Sequence, residues 1–101
     1  AERHTVLLLQ ENLARDIEIQ DQSLSRGDDG ILLAETLILN RSDKALSLSV
    51  QCLFKDQLGV TRETSPWKTI TIPSEERFVY VAPSLNQFAT RFIVQIQNLR
   101  E

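Results

Sequence analysis

Apolar and polar residues alternate along most of this chain with the two-residue period of extended strands. In 45–55, Leu46, Leu48, Val50, Cys52 and Phe54 are interleaved with Ser47, Ser49, Gln51, Leu53 and Lys55. A strand sends these two sets to opposite faces, whereas a helix would scatter them around its circumference. The same reasoning predicts a strand at 5–9, a polar edge strand begun by Ile17 and Ile19 and running toward Ser25, and a long strand over 31–40. Further strands follow at 67–72, ended by Pro73, then one lined by Phe78, Tyr80 and Ala82 before Pro83, and a last one marked by Phe92, Val94 and Ile96. Asp28-Asp29-Gly30, Asn40-Arg41-Ser42-Asp43 and Asp56-Gln57-Leu58-Gly59 supply turn chemistry between them. Glu11-Asn12-Leu13-Ala14-Arg15 lacks alternation and has good helix formers, which predicts a single helical turn. Residues 84–90 read as a short turn or loop. About seven strands with turns roughly every 8–12 residues are the pattern of an all-β, two-sheet sandwich. Leu48, Val50, Cys52, Phe54, Val94 and Ile96 are its expected interior, and residues 1–101 form one domain without repeat or linker.

The strand at 31–40 departs from the usual pattern because both of its faces are apolar. One carries Leu32, Ala34, Thr36 and Ile38; the other carries Ile31, Leu33, Glu35, Leu37 and Leu39. A sandwich strand normally keeps one polar face. Leaving three leucines in water forgoes roughly 1.5–3 kcal/mol of hydrophobic stabilisation for each. Leu33, Leu37 and Leu39 are therefore a candidate interaction face, expected to be covered by residues 6–9 of the same chain or else by a second chain. Glu35, in the middle of the row, then needs water or a cation. Trp67, the only tryptophan, is expected to roof one end of the core. The alternative use of Trp67 is as an aromatic platform for carbohydrate or peptidoglycan.

Composition narrows the chemistry. A chain of 101 residues, 42% hydrophobic and 25% charged, is long enough for one core without disulfide or metal staples. Eleven basic against 14 acidic residues give a net charge of −3, which argues against nucleic-acid partners. No apolar run approaches the roughly 20 residues of a membrane-spanning helix. Cys52 is the sole cysteine, so neither an internal disulfide nor a thiolate zinc site can form. The sole histidine, His4, stands beside the terminus, where holding it against a nucleophile would be difficult. Asp28-Asp29 and Glu75-Glu76 are adjacent in turns and point apart, unlike an acid–base pair. The expectation is a non-catalytic protein with no metal and no cofactor. Arg26-Gly27-Asp28 and Asn40-Arg41-Ser42 match an integrin-binding tripeptide and a glycosylation acceptor, and both read as turn chemistry. With no methionine in the sequence, Ala1 is expected to follow either a removed leader or a trimmed start, which leaves localisation open from composition.

The order of landmarks resembles a known family. An apolar first strand is followed by Asn12-Leu13-Ala14, Ile17-Glu18-Ile19, Asp29-Gly30-Ile31-Leu32 and a strand ending in Asn40. Asp56 with Gly59, Trp67 and its strand, Ala82-Pro83 and the strand from Phe92 to Ile96 complete the series. This series resembles the YcfL-like family of bacterial envelope proteins, small predicted lipoproteins of uncharacterised function. The resemblance implies an immunoglobulin-like sandwich, a lipoprotein leader, a periplasmic address at the outer membrane, and a partner that is another envelope protein. It carries no catalytic residues over. Together with the apolar face of 31–40, the expected function is a non-catalytic interaction module of the envelope, binding another protein through a sheet face or edge, with homo-oligomers among the allowed assemblies.

Overall fold

The computed structural model describes residues 5–84 and 88–99; His4 and the middle of the loop expected at 84–90 lie outside them. Its elements are β1 (Thr5–Leu8), α1 (Leu13–Asp16), β2 (Ile17–Arg26), β3 (Leu32–Asn40), β4 (Leu46–Lys55), β5 (Thr61–Thr64), β6 (Lys68–Ile72), β7 (Arg77–Ser84) and β8 (Arg91–Asn98). They form two sheets, one ordered β1-β8-β4-β5 with β6 also on β4, the other ordered β2-β3-β7. The all-β sandwich is thus what the alternation predicts, with one strand more than the pattern shows. That strand is β5, Thr-Arg-Glu-Thr, which has no apolar residue to alternate and holds only the end of β4 at Leu53–Lys55.

Strand β4 is the spine of its sheet. It pairs with β8 on one side, while β6 and β5 share its other side. Its even-numbered apolar residues meet those of β8 in the core. Leu48, Val50, Cys52, Phe54, Val94 and Ile96 are all fully buried, as their parity predicts. The facing sheet contributes Leu32, Ala34 and Ile38 from β3 and Tyr80 and Ala82 from β7 to the same cluster. Leu13 of α1 is also fully buried and closes one end. Arg41 caps that helical turn, its Nε and Nη2 donating to the carbonyls of Arg15 and Ala14 at 2.9 and 2.5 Å.

Two irregularities fix what faces outward. The register of β2 on β3 shifts between Ile19 and Asp21. The extra residue, Gln20, lets Ile17 and Ile19 point inward at odd positions and Leu24 at an even one, and both Gln20 and Asp21 are exposed. Strand β7 does not end before Pro83 as the sequence suggests; Pro83 lies inside it, opposite Leu33. Proline is tolerated there because β7 is an edge strand, where the missing N–H removes no ladder bond.

The N-terminal segment does not cover the leucines of β3. Strand β1 adds to the edge of β8 in the other sheet, in parallel, with Thr5 opposite Ile93 and Leu8 opposite Ile96. The physical reason is backbone bonding. A free strand edge offers β1 a ladder for its N–H and C=O groups, and a sheet face offers none.

Candidate interaction surface

The outer face of the β2-β3-β7 sheet is read from its register. Leu39 is flanked by Glu18 and Arg77, Leu37 by Asp21 and Val79, Glu35 by Ser23 and Val81, and Leu33 by Ser25 and Pro83. An apolar band therefore runs along β3 and β7, and β2 presents a polar column beside it. Leu33, Leu37 and Leu39 are half-buried within the sheet, while Val79 and Val81 are 49% and 41% exposed. The β3 half of this band is legible in the sequence. Its β7 half is carried by Phe78-Val79-Tyr80-Val81-Ala82, whose unbroken apolar run is the same two-faced signal seen in β3.

Polar side chains cover one end of the band. Arg77 Nε donates to Gln20 Oε1 at 2.7 Å, and Gln20 Nε2 donates to Glu18 Oε1 at 2.9 Å. Arg41 Nη1 stands 3.5 Å from Glu18 Oε2. Because Arg77 and Gln20 belong to the strands on either side of β3, this strap passes over β3 beside Leu39. At the other end the band opens into a depression of about 410 Å³ lined by Gly27, Asp28, Asp29, Ile31, Leu33 and Pro83. Between them Glu35 makes no hydrogen bond or ion pair with any described residue.

Trp67 does not roof the core. It is 42% exposed. Ile70 and Ile72 take the inward positions of β6, and the alternation carried back from them puts Trp67 on the solvent side with Thr69 and Thr71. Beside it, Ser65, Pro66 and Lys68 face β7 residues 80–83 across a groove of about 210 Å³. The Gln51 amide donates to the Ser65 carbonyl there at 3.1 Å. A further apolar group, Leu58 and Phe88 at 82% and 69% exposure, lies at one end of the sandwich, where the turn pattern disguised it.

The titratable groups are structural in their placement. Burial, with the nearby Glu63 charge, pushes the Cys52 thiol up to about 12. Burial also raises Tyr80, against an opposing hydrogen bond with Ser65. Asp56 is held below the usual carboxylate value by the Arg62 guanidinium, whose Nε is 2.7 Å from Oδ2, and by the N–H groups of Val60 and Leu58. Asn40 is fully buried with its amide engaged, so the Asn40-Arg41-Ser42 triplet is a structural turn and not a glycan acceptor. Among the described residues no three His, Cys, Asp or Glu side chains converge on a metal position, and no helix is long and apolar enough to cross a membrane.

No family model matches the chain, and no curated protein matches it. Two crystal structures share its fold. That of Campylobacter jejuni cj0090 superposes with a TM-score of 0.72 at 17% identity, covering 96% of this chain and 100% of that one. A DUF1425 family member from Shewanella sp. pv-4 superposes with a TM-score of 0.74 at 21% identity, covering 84% of this chain and 80% of that one. At these identities the likeness is one of fold.

Proposed function

We propose that this chain is a non-catalytic protein-interaction module of a bacterial cell envelope, engaging its partner through the outer face of the β2-β3-β7 sheet. One observation carries the reading: an apolar band of Leu33, Leu37, Leu39, Val79 and Val81 on a face that a solitary sandwich would make polar. The band needs an apolar counterpart, and the unpartnered Glu35 within it calls for a cation on that counterpart. The envelope assignment, with a lipid-anchored periplasmic form of the YcfL-like type, rests on the ordered landmarks of the sequence. The fold shared with the Shewanella DUF1425 family member is consistent with it.

A photocrosslinking amino acid placed at Leu37 or Val79 in cells tests the face, with Ser47 on the opposite sheet as control. A product of defined mass from the first two positions and none from Ser47 is the expected result. Equal, diffuse labelling from all three overturns the reading.

A second reading is favoured by the exposure of Trp67 beside the Ser65–Lys68 groove, where it is available to stack on a sugar ring. As the only tryptophan, it reports directly. Saturable quenching of its fluorescence by peptidoglycan fragments supports carbohydrate binding, and an unchanged spectrum removes that reading.

A further inference from the structure

We infer that the partner seated on the outer face of β2-β3-β7 is a second copy of this chain, related by a two-fold axis that crosses the strands at Leu37 and Val79. The inference rests on the docking face proposed above and names its occupant. A two-fold interface must be complementary to itself. Along β3 and β7 the outward residues run in rows: Glu35 with Val81, then Leu37 with Val79, then Leu39 with Arg77. An axis through the middle row lays Leu37 and Val79 on their own counterparts. It also brings the Glu35 row of each copy onto the Leu39–Arg77 row of the other. The hydrogen bond from Arg77 to Gln20 already draws the guanidinium over β3 beside Leu39, onto the position that Glu35 of the second copy faces. Four further N–H groups of the guanidinium remain in addition to the donor used by Gln20.

The alternatives are poorer on the same register. An axis running along β3 would set Glu35 against Glu35, two half-buried like charges, and one running between β3 and β7 would set Glu35 on Val81 with no cation opposite it. Edge-to-edge growth of β7 is obstructed by Pro83, which has no N–H to give a neighbouring strand. The remaining charges of the face limit the affinity without preventing the contact. Glu18 is engaged by Arg41 and Gln20. Asp21 meets its own counterpart across the axis, but on the polar β2 side, at the hydrated rim.

Sedimentation of the purified chain over about 1–100 µM reads the outcome, since weak protein pairs dissociate in that range. The wild type is expected to pass from monomer to dimer. Glu35→Arg and Arg77→Glu should each raise the dissociation constant about tenfold or more, as expected for truncating a close charge pair. Combining the two reversals should restore dimerisation to within about threefold of wild type, because the pair is rebuilt with its signs exchanged. Circular dichroism of each variant checks that it is folded, and Leu37→Lys provides a second disruptive change that leaves both charges in place. A wild type that stays monomeric overturns the inference, as does a dimer indifferent to these changes or a double reversal no better than the singles. A monomer whose position 37 still crosslinks to a different protein discards the second copy and keeps the docking face.

Discussion

The side-chain amide of Asn40, at the end of β3, donates to the Ile72 carbonyl at the end of β6, 2.9 Å away in the opposite sheet. The same nitrogen reaches the Lys44 carbonyl at 2.8 Å, and Asn40 Oδ1 accepts from the Ser42 N–H and hydroxyl. One fully buried side chain thus ties both sheets and the β3–β4 turn together. Replacing it leaves several buried polar groups without partners. Asn40→Ala should lower the unfolding free energy by about 2–4 kcal/mol in denaturant titrations. A loss no larger than that of a surface substitution would contradict the pinning role.

Cys52 should resist labelling in the folded protein, because its thiol is buried and its ionisation is pushed up to about 12. The ordinary value is 9.0, so the unfolded chain loses the proton first as pH rises. The stability linked to this group is complete below about pH 9 and is lost between there and about pH 12. Tyr80, also raised by burial, acts in the same direction. Thermal unfolding across that window should show the decline, and Cys52→Ala should reduce it. Cys52→Asp should cost roughly 3–5 kcal/mol, by placing an unpaired carboxylate in the core.

Asp56 acts in acid. Its folded-state ionisation lies below the ordinary 3.8, held there mainly by Arg62. Its contribution is therefore complete above the unfolded value and disappears as pH falls through the folded one. Asp56→Asn keeps an acceptor for the Leu58 and Val60 N–H groups and removes the ion pair. The variant should lose less stability than wild type when melting temperatures are followed from pH 5 down to about pH 2. Identical slopes would remove the linkage.

Thr36 carries the reverse expectation. Its hydroxyl is buried without a hydrogen-bond partner, as is the amide nitrogen of Gln22 opposite it on β2. Thr36→Val keeps the branched shape and removes the unsatisfied oxygen. It should stabilise the fold by about 1 kcal/mol, read as a higher denaturant midpoint at unchanged slope. A lower midpoint would show that the hydroxyl is satisfied in solution.

Deleting residues 1–10 strips β1 from β8 and exposes the edge carrying Ile93 and Gln95. The shortened chain should melt earlier and aggregate through that edge. Leu37→Lys, on the far face, should not cure the aggregation. A cure would mean that β1 had been shielding the leucines after all.

The alternation in β4 and β8 was sufficient to determine that this chain is a β-sandwich and which side chains fill it, because strand parity is local and every buried hydrophobic residue in those strands obeys it. The apolar second face of β3 was legible for the same reason. What covers that face was not, since pairing joins residues far apart in sequence. Val6–Leu9 and the edge of β8 find each other through backbone bonds that no side-chain pattern records. Strand β5 escaped because its residues carry no apolar period, and β7 hid half of the exposed band in an unbroken apolar run. The strap from Arg77 through Gln20 depends on a one-residue bulge in β2 and on two strands separated by β3. Only the tertiary structure brings those together. The residues themselves determined the layers and the core, and the long-range register of the strands decided which surfaces were left over.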